Sequence, residues 1–549
     1  LSSRVNEKAS LIWAIADKLT GVYKPHEYGE VILPLTVLRR FDCILADTKP
    51  AVLDTYNKLK DQNLDLLDSL LYEVAGHKFY NISKYTFKTL LDDPDNIESN
   101  FRDYINGFSD NVQDIIRKFK FDNHITTMAD KHILYMVIKE FTTDKANLHP
   151  DHISNLEMGY VFEEIIRRFS EAHNEDAGQH YTPREVIRLM VNILFHDDNA
   201  VLSGQNVARI IYDCACGTGG MLSVAEEYLA NLNSTSKLIS FGQELNDQTF
   251  AICKADMLIK GNDAERIKSG NTLSEDKFSG ETFDYIISNP PFGREWKNEE
   301  AIVKNEAKLG FDGRFGPGLP STSDGQMLFL ENAIKKMNPQ GSRIAIIHNG
   351  SPLFTGDAGS GPSEIRRYIL ENDLLEAIIA LPNDIFYNTG IATYIWVLSN
   401  KKAGTPREGK VQLINANDLY EKRRKSLGNK RNDIPESAIQ EITKIYGEFR
   451  ETEISKIFDN EDFGYTKITV ERPVLDEAGK PVLVKGKPEV DTKRRDTEIV
   501  PLKEDIETYF EREVLPFAPD AWIDTKKNKI GYEIPFTRHF YKYVAPRST

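Results

Sequence analysis

The chain has 549 residues and a mass of 62.5 kDa, which is more than one typical hydrophobic core accommodates, so two or three domains are expected. Its composition, 40% hydrophobic and 28% charged, is that of a globular protein, and no apolar run in the sequence is long enough to span a bilayer. The formal charge of −15 argues against a strong autonomous nucleic-acid binder, because neutralising phosphates needs clustered Lys and Arg.

The first region, residues 1–155, has the apolar spacing of helices. Residues 12–19 and 31–41 predict two helices, the second despite Pro34, and later windows such as 112–121 show the same period of 3.6. We therefore predict an all-helical N-terminal domain. The pattern alone fits any helical bundle and says little about function.

The second region, residues 156–402, alternates predicted strands and helices, which indicates a doubly wound α/β sheet. It begins with a predicted helix at residues 159–171. A Gly-Gln-His-Tyr-Thr-Pro-Arg-Glu run follows, in which Thr182 is placed to cap a helix at residues 183–194 and Glu185 completes a capping box. The run is either a well-made helix start or a helix N-terminus aimed at the carboxylate of a ligand.

A glycine-rich turn then joins a predicted strand at residues 208–213 to a predicted helix at residues 221–229. Strand, glycine turn and helix form the architecture of a nucleotide-type cofactor site, in which Asp213 is placed to meet an amino group of the ligand. The Gly-Thr-Gly-Gly spacing differs from the dinucleotide-binding G-x-G-x-x-G. Cys214 and Cys216 lack the spacing of metal ligands, so no metal site is predicted.

The next predicted strand, residues 238–244, ends in an acid. Glu244 follows the glycine turn at close to the interval of about 20 residues at which nucleotide-binding folds place a ribose-binding acid. A surface glutamate is the alternative. Asn246 is placed to cap a helix at residues 247–260. Asn271, in a Gly-Asn-Thr-Leu run, marks either an adenine-binding position or an ordinary turn.

One stretch carries the most specific chemistry. An apolar run at residues 283–287 predicts a buried strand, and Ser288-Asn289-Pro290-Pro291-Phe292-Gly293 follows it. The two prolines end the strand, since neither donates to a ladder, and hold Asn289 rigidly at its carboxyl edge. The Asn289 amide oxygen and the Pro290 carbonyl can accept hydrogen bonds from an exocyclic NH2 group, while Phe292 stacks on the ring that carries it. The alternative is a plain strand-to-turn junction.

The run from Asn289 to Phe292 resembles the catalytic motif of amino-group methyltransferases that modify adenine in DNA. Over nearly its whole length the chain is similar to the modification subunit of type I restriction-modification systems. The glycine turn resembles that family's Asp-Pro-Ala-Cys-Gly-Thr-Gly-Gly, with Cys214 in place of proline.

The resemblance implies a Rossmann-like methyltransferase sheet that transfers a methyl group from S-adenosyl-L-methionine to the N6 amine of a flipped adenine. It implies as catalytic residues Asn289, Pro290, Pro291 and Phe292. It implies as cofactor-binding residues Gln179, His180, Tyr181, Thr182, Pro183, Arg184, Asp213, Gly217, Thr218, Gly219, Gly220, Glu244 and Asn271.

The resemblance also implies partners, which are double-stranded DNA, a specificity subunit and a second copy of this chain. A restriction or translocase subunit is a further possible partner, because no Walker A loop is present in this sequence and restriction must belong to another chain. Four cysteines favour a reducing cytoplasm, and no membrane association is expected. Two alternatives stay open. One is a methyltransferase of the same fold that acts on a protein glutamine amide or an RNA base, and the other is a non-catalytic assembly subunit.

The remaining segments predict less. Residues 294–326 form a long polar stretch, either a mobile segment over the target base or a disordered insertion. Residues 403–549 are predicted to be a largely helical region that contacts partner or DNA. Its basic cluster at residues 422–425 is either a solvated helix face or a contact to phosphate or a partner. Residues 473–495 predict an extended hairpin or loose insertion, and the aromatic end packs either on this chain or on a partner.

Overall fold

The computed structural model describes residues 3–62, 65–171 and 181–541. Helices make up the first third of the chain, a large mixed sheet the middle, and a smaller β unit the end. No helix in these three ranges is long and apolar enough to cross a membrane.

The predicted all-helical N-terminal region is confirmed. Pro34 lies within the second helix, whose side chains are almost all buried from Val31 onward, so tertiary packing outweighs the lost backbone hydrogen bond. The helices of this region are α1 (Ser3–Ile15), α2 (Tyr28–Leu45), α3 (Lys49–Leu59), α4 (Leu67–Ala75), α5 (Ile97–Asn106), α6 (Asp110–Lys118), α7 (Asp122–Asp130), α8 (Leu134–Phe141) and α9 (Asn155–Glu171).

The predicted α/β sheet is also confirmed. Its central strands are buried apolar runs, as expected when helices cover both faces. The strands to residue 459 are β1 (Ala208–Asp213), β2 (Lys237–Glu244), β3 (Ile267–Ser269), β4 (Tyr285–Ser288), β5 (Arg343–Asn349), β6 (Leu375–Ala380), β7 (Thr393–Ser399), β8 (Lys410–Asn415), β9 (Glu421–Leu427), β10 (Lys430–Asp433) and β11 (Ser455–Asp459). The helices among them are α10 (Arg184–His196), α11 (Asn199–Leu202), α12 (Gly220–Leu232), α13 (Asp247–Ile259), α14 (Glu300–Ala307), α15 (Gln326–Lys335), α16 (Ser351–Phe354), α17 (Gly361–Glu371) and α18 (Glu436–Glu448).

The strand order places Asp213, Glu244 and the residue before Asn289 on one edge. The strand order of the sheet is β11-β8-β6-β7-β5-β4-β1-β2-β3. β1 lies between β4 and β2 and is parallel to both. Their carboxyl ends therefore meet at the same edge, with Asp213, Glu244 and Ser288 as the last residues. The chain winds outward in opposite directions from β1 and β4, which makes the crevice between them the place where such sheets bind ligands.

The prediction of a largely helical region after residue 402 is wrong. β8 and β11 extend the main sheet, and β9 pairs with β10 in a separate two-stranded ribbon. Most of the elements after β11 are strands: β12 (Gly464–Glu471), β13 (Leu483–Val484), β14 (Lys487–Pro488), β15 (Asp496–Pro501), α19 (Ile506–Glu513), β16 (Trp522–Ile523), β17 (Lys529–Tyr532) and α20 (Phe536–His539). These strands are short, and cross-strand pairing with distant segments overrides their weak local preference, as in the pairing of β12 with β15 and β17.

Candidate functional site

The Asn289 side chain is held at one end and open at the other. Its Nδ2 donates a hydrogen bond of 2.9 Å to Thr182 Oγ1. Its Oδ1 is buried and accepts no hydrogen bond within the described ranges, and neither does the Pro290 carbonyl. Gly293, at φ +71°, then turns the chain away from the sheet. Two acceptors are thus presented together at the carboxyl edge of β4.

The predicted cap of α10 is wrong, and the contact above is the reason. Helix α10 begins at Arg184, with Pro183 rather than Thr182 as the residue before it, and it has no side-chain cap. The Thr182 hydroxyl instead serves Asn289, and the Glu185 carboxylate pairs with Lys430 of β10. The start of α10 therefore joins the segment that carries Asn289 to the β9–β10 ribbon.

Asp213 ends β1 in a buried position. Its Oδ1 accepts hydrogen bonds from Ser288 Oγ at 2.7 Å and from the Ala215 N–H at 3.0 Å. Burial raises the pKa of this carboxyl to about 7, although both hydrogen bonds act in the opposite direction. The glycine turn that follows needs its glycines, since Gly217 and Gly219 lie at φ +54° and +86°.

Glu244 ties the end of β2 to that turn. Its Oε2 accepts the Gly217 N–H at 2.7 Å, and its Oε1 accepts the Asn246 N–H at 2.8 Å. The side chain is 5% exposed, so the interpretation as a surface glutamate does not hold. Asn246 caps α13 as predicted, since its side chain accepts from Gln248 N and Thr249 N at 3.0 Å each.

A buried arginine and a third carboxyl stand beside these groups. Arg184 Nε and Nη2 are buried without a hydrogen-bond partner in the described ranges, and the guanidinium lies over the Tyr160 ring. Burial raises the pKa of Glu163, on α9, to about 7 against the opposing charge of Arg184. A Cβ on Gly220 would lie 2.5 Å from Glu163 Oε1, so a larger residue there would have to displace the Glu163 carboxyl group.

The sequence analysis did not single out Glu163. It is one of two adjacent acids in an amphipathic helix, and no spacing distinguishes it from a surface residue. The only local signal is the apolar stretch around it, because Tyr160, Val161 and Phe162 are all buried.

Two cavities meet at Ala215. The larger, of about 660 Å³, is lined by Glu244, Asn271 and Pro291 from the sheet edge and by Lys118 and His124 from the N-terminal helices. The smaller, of about 30 Å³, is lined among others by Glu163, Thr182, Asp213, Thr218 and Asn289. The candidate site thus extends from Asn289 past the carboxyls to the N-terminal region.

The remaining predicted site residues fall around these cavities. Asn271 donates to Glu299 at 2.7 Å and accepts the Leu273 N–H at 3.0 Å. Tyr181 is buried, which raises the pKa of its hydroxyl, while Phe292 is half-buried against the core. Gln179 and His180 lie outside the described residues.

Residues 294–326, expected to be mobile or disordered, are packed instead. Trp296 is 2% exposed and its Nε1 donates to the Ser321 carbonyl at 2.8 Å. Arg314 forms a two-bond pair with Glu306, at 2.8 and 2.7 Å, and donates to the carbonyl of Thr272 at 2.6 Å. One buried guanidinium therefore fixes the segment beside the larger cavity.

Two adjacent aromatic residues lie between β6 and β7, and the first of them, Phe386, packs in the core. Tyr387 lies under the cationic groups of Arg167 and Lys430.

Comparison with known proteins matches two family models. The model described as N-6 DNA Methylase matches residues 154–470, and the model described as HsdM N-terminal domain matches residues 8–141. Together they cover both the helical region and most of the sheet.

Individual relatives agree with the family models. The chain is 26% identical over 491 residues to the type I restriction enzyme MjaIX methylase subunit of Methanocaldococcus jannaschii, with 85% of this chain and 81% of that protein covered. It is 29% identical over 283 residues to the HindI methylase subunit of Haemophilus influenzae, with 51% and 58% covered. The fold matches that of a type I restriction-modification methyltransferase subunit from Streptococcus thermophilus at a TM-score of 0.64, with 21% identity and coverage of 84% and 97%.

These matches confirm the resemblance, the α/β fold, the class of DNA adenine methyltransferase and S-adenosylmethionine as methyl donor. The first family model covers more than half of the chain. The chain belongs to the N-6 DNA methylase family.

Proposed function

We propose that this chain methylates the N6 amine of adenine in double-stranded DNA with Asn289, Pro290, Pro291 and Phe292 as its catalytic residues, as the modification subunit of a type I restriction-modification complex. One observation carries the assignment of the site. Asn289 Oδ1 and the Pro290 carbonyl are presented at the end of β4 without partners in the described ranges, while Thr182 fixes the other end of the amide.

The two acceptors suit an aromatic amine. The lone pair of such an amine is delocalised into the ring, so the nitrogen is a poor nucleophile. Hydrogen bonds from both N–H groups to Asn289 Oδ1 and the Pro290 carbonyl favour a tetrahedral nitrogen and localise the pair. Phe292 stacks on the base that carries the amine, and the base must leave the duplex to reach this edge of the sheet. The site acts mainly by positioning and by stabilising developing charge.

The groups beside Asn289 fit S-adenosylmethionine, which when bound supplies an electrophilic methyl group on a sulfonium. The partnerless Arg184 nitrogens suit its carboxylate, and Asp213 and Glu163 suit its positively charged part. Each Glu244 oxygen already accepts one N–H and retains a lone pair for a ribose hydroxyl. Asn271 lines the cavity on the adenosine side.

We also propose the partners and regions that the resemblance implies. The relatives are named as methylase subunits of type I restriction enzymes, which supports a specificity subunit, a second copy of this chain and a restriction subunit as partners. We propose a helical domain at residues 1–155 and a catalytic domain at 156–402, with residues 403–549 completing its sheet and contacting partner or DNA in the cytoplasm.

The test is to map N6-methyladenine in DNA from cells with the wild-type chain, with Asn289→Ala and with no chain. We expect methylation at one sequence motif in the first culture only. The same methylation map in all three cultures would overturn the proposal. Methylation of a protein glutamine amide or of RNA instead of DNA would also overturn it.

A further inference from the structure

The ribbon of β9 and β10 is fixed beside the catalytic site. Lys430 Nζ pairs with Glu185 at the start of α10 and donates to the Ile385 carbonyl at 3.0 Å. The N–H groups of Asn429 and Arg431 donate to the carbonyls of Tyr387 and Asp384 at 2.8 Å each. Glu185 is three residues from Thr182, which holds Asn289, so the ribbon stands next to the catalytic edge of the sheet.

The ribbon exposes cations on both of its faces. Lys422, Arg424, Lys425 and Arg431 are exposed, and none of the four has a carboxylate within ion-pair distance in residues 3–62, 65–171 and 181–541. Successive side chains of a strand point to opposite faces, so the neighbours Arg424 and Lys425 lie on different faces. A two-stranded ribbon without a core is marginal by itself.

The placement of charge is unusual for this chain. Between residues 421 and 433 there are six Lys and Arg side chains and two acidic ones, although the whole chain carries a formal charge of −15. Lys430 is nearly buried at 2% exposure and is used as an anchor, and Arg423 pairs with Asp433 at 2.7 Å. Internal pairs therefore hold the ribbon in place and leave the other four cations for an external anion.

We infer that the β9–β10 ribbon contacts the phosphates of duplex DNA beside the target adenine. This inference rests on the proposed function, because that function brings a duplex to this edge. Phosphate contacts fix the register and orientation of a protein on DNA, and a two-stranded ribbon has the width that the major groove admits. The ribbon holds the duplex while the adenine is turned out towards Asn289.

The test compares two double variants of the full-length chain that remove the same charge. Lys422→Gln with Arg424→Gln alters the ribbon. Arg209→Gln with Lys237→Gln is the control, because these residues lie at the amino ends of β1 and β2, on the opposite edge of the sheet. Binding to a fluorescent duplex of mixed sequence is measured by anisotropy over a series of salt concentrations, and donor binding by calorimetry.

We expect the slope of log affinity against log salt to become shallower by about 2 in the ribbon variant and to change by less than about 0.5 in the control, with donor affinity unchanged in both. An unchanged slope in the ribbon variant, an equal loss in both variants, or no duplex binding by the wild-type chain at low salt would overturn the inference. A ribbon variant that keeps the wild-type salt slope but no longer assembles with a protein partner would also overturn the inference. Failure of the proposed function is seen separately, as a wild-type chain that transfers no methyl group to DNA.

Discussion

At the scale of single residues, the orientation of one amide decides the chemistry. With Nδ2 bound to Thr182, Asn289 offers its oxygen to the incoming amine. If the amide turned over, Nδ2 would face the N–H groups of the substrate, and two donors would oppose each other. Thr182 is therefore a positioning residue, a role that its place before a helix does not suggest.

Removing the Thr182 hydroxyl should separate positioning from binding. We expect Thr182→Val to lower the single-turnover rate of methyl transfer about 10-fold or more, the effect of a lost hydrogen bond of about 1.4 kcal/mol or more. Donor affinity should change little. The control Thr182→Ser keeps the hydroxyl and should keep the rate. If the valine variant reacts at the wild-type rate, the contact with Asn289 plays no part in catalysis.

A second residue-scale prediction concerns pH. Burial raises the pKa of both Asp213 and Glu163 to about 7, so each is largely protonated and neutral at pH 5.5 and mostly ionised at pH 7.5. The Asp213 carboxyl accepts hydrogen bonds from Ser288 and Ala215, and the negative charge of Glu244 acts on it from nearby. The positive charge of Arg184 acts on Glu163. In the proposed complex the positively charged part of the donor lies beside these two carboxyls. The affinity of the protein for the donor should therefore rise by about 10-fold from pH 5.5 to pH 7.5, the equivalent of one pKa unit.

Calorimetry from pH 5.5 to 7.5 measures this effect. The range lies below about 7.7–8.0, the usual pKa of an α-amino group such as the one on the donor. Proton release on binding should accompany it. Asp213→Asn should bind more weakly at pH 7.5 and show a flatter pH profile. A wild-type affinity that falls as pH rises would contradict the assignment of these carboxyls.

At the scale of elements, the segment between β4 and α15 depends on Arg314. Its guanidinium bonds Glu306 in the same segment and reaches the Thr272 carbonyl beside the larger cavity. Without it, the segment keeps the packing of Trp296 and Phe315 but loses its main polar link to the sheet.

We expect Arg314→Ala to make local opening of residues 294–326 easier by about 2–3 kcal/mol, the usual worth of hydrogen bonds to a charged group. Hydrogen exchange followed by mass spectrometry measures it. Arg367→Ala is the control, because Arg367 is exposed and its pair with Glu371 is worth only about 0.3–0.5 kcal/mol. Equal protection of the segment in both variants would show that Arg314 does not anchor it.

The elements also show what the sequence could predict. β1 has the predicted bounds, because its apolar run ends clearly at the glycine turn. The ribbon was missed, because its Lys-rich strands have no apolar period and are held by contacts with Glu185 and Tyr387, which are remote in the chain. The catalytic run was predicted from residue types alone. The Thr182–Asn289 bond joins residues too far apart in sequence for any local pattern to reveal.

At the scale of the whole molecule, the parts of the chain close on the catalytic sheet. Lys120 of the N-terminal region pairs with Asp247, the first residue of α13, at 3.3 Å beside the larger cavity. The aromatic end packs on this chain, since the Ile534 N–H donates to the Leu353 carbonyl at 2.8 Å and the Phe536 ring lies 5.2 Å from that of Tyr394. The formal charge of −15 indicates a surface with more acidic than basic side chains.

That surface leads to a prediction about selectivity. The cations suited to phosphate contact are local, and no motif for reading base edges is apparent in the sequence. We expect the purified chain to bind DNA weakly at near-physiological salt and with little preference for sequence. Competition titrations measure the preference. Selection of one sequence over random DNA by about 1000-fold would show that the chain reads the site without a partner.

The central claim is that Asn289 activates an adenine amine for methyl transfer. The direct measurement uses labelled S-adenosylmethionine and DNA with the chain, supplemented by the specificity subunit proposed above, followed by digestion of the DNA and separation of the nucleosides. We predict that the wild type labels only N6-methyl-2′-deoxyadenosine, that Asn289→Ala binds the donor normally and transfers no label, and that Glu244→Ala binds the donor about 1–3 kcal/mol more weakly. Transfer by Asn289→Ala at the wild-type rate, or label on any other nucleoside, would contradict the account.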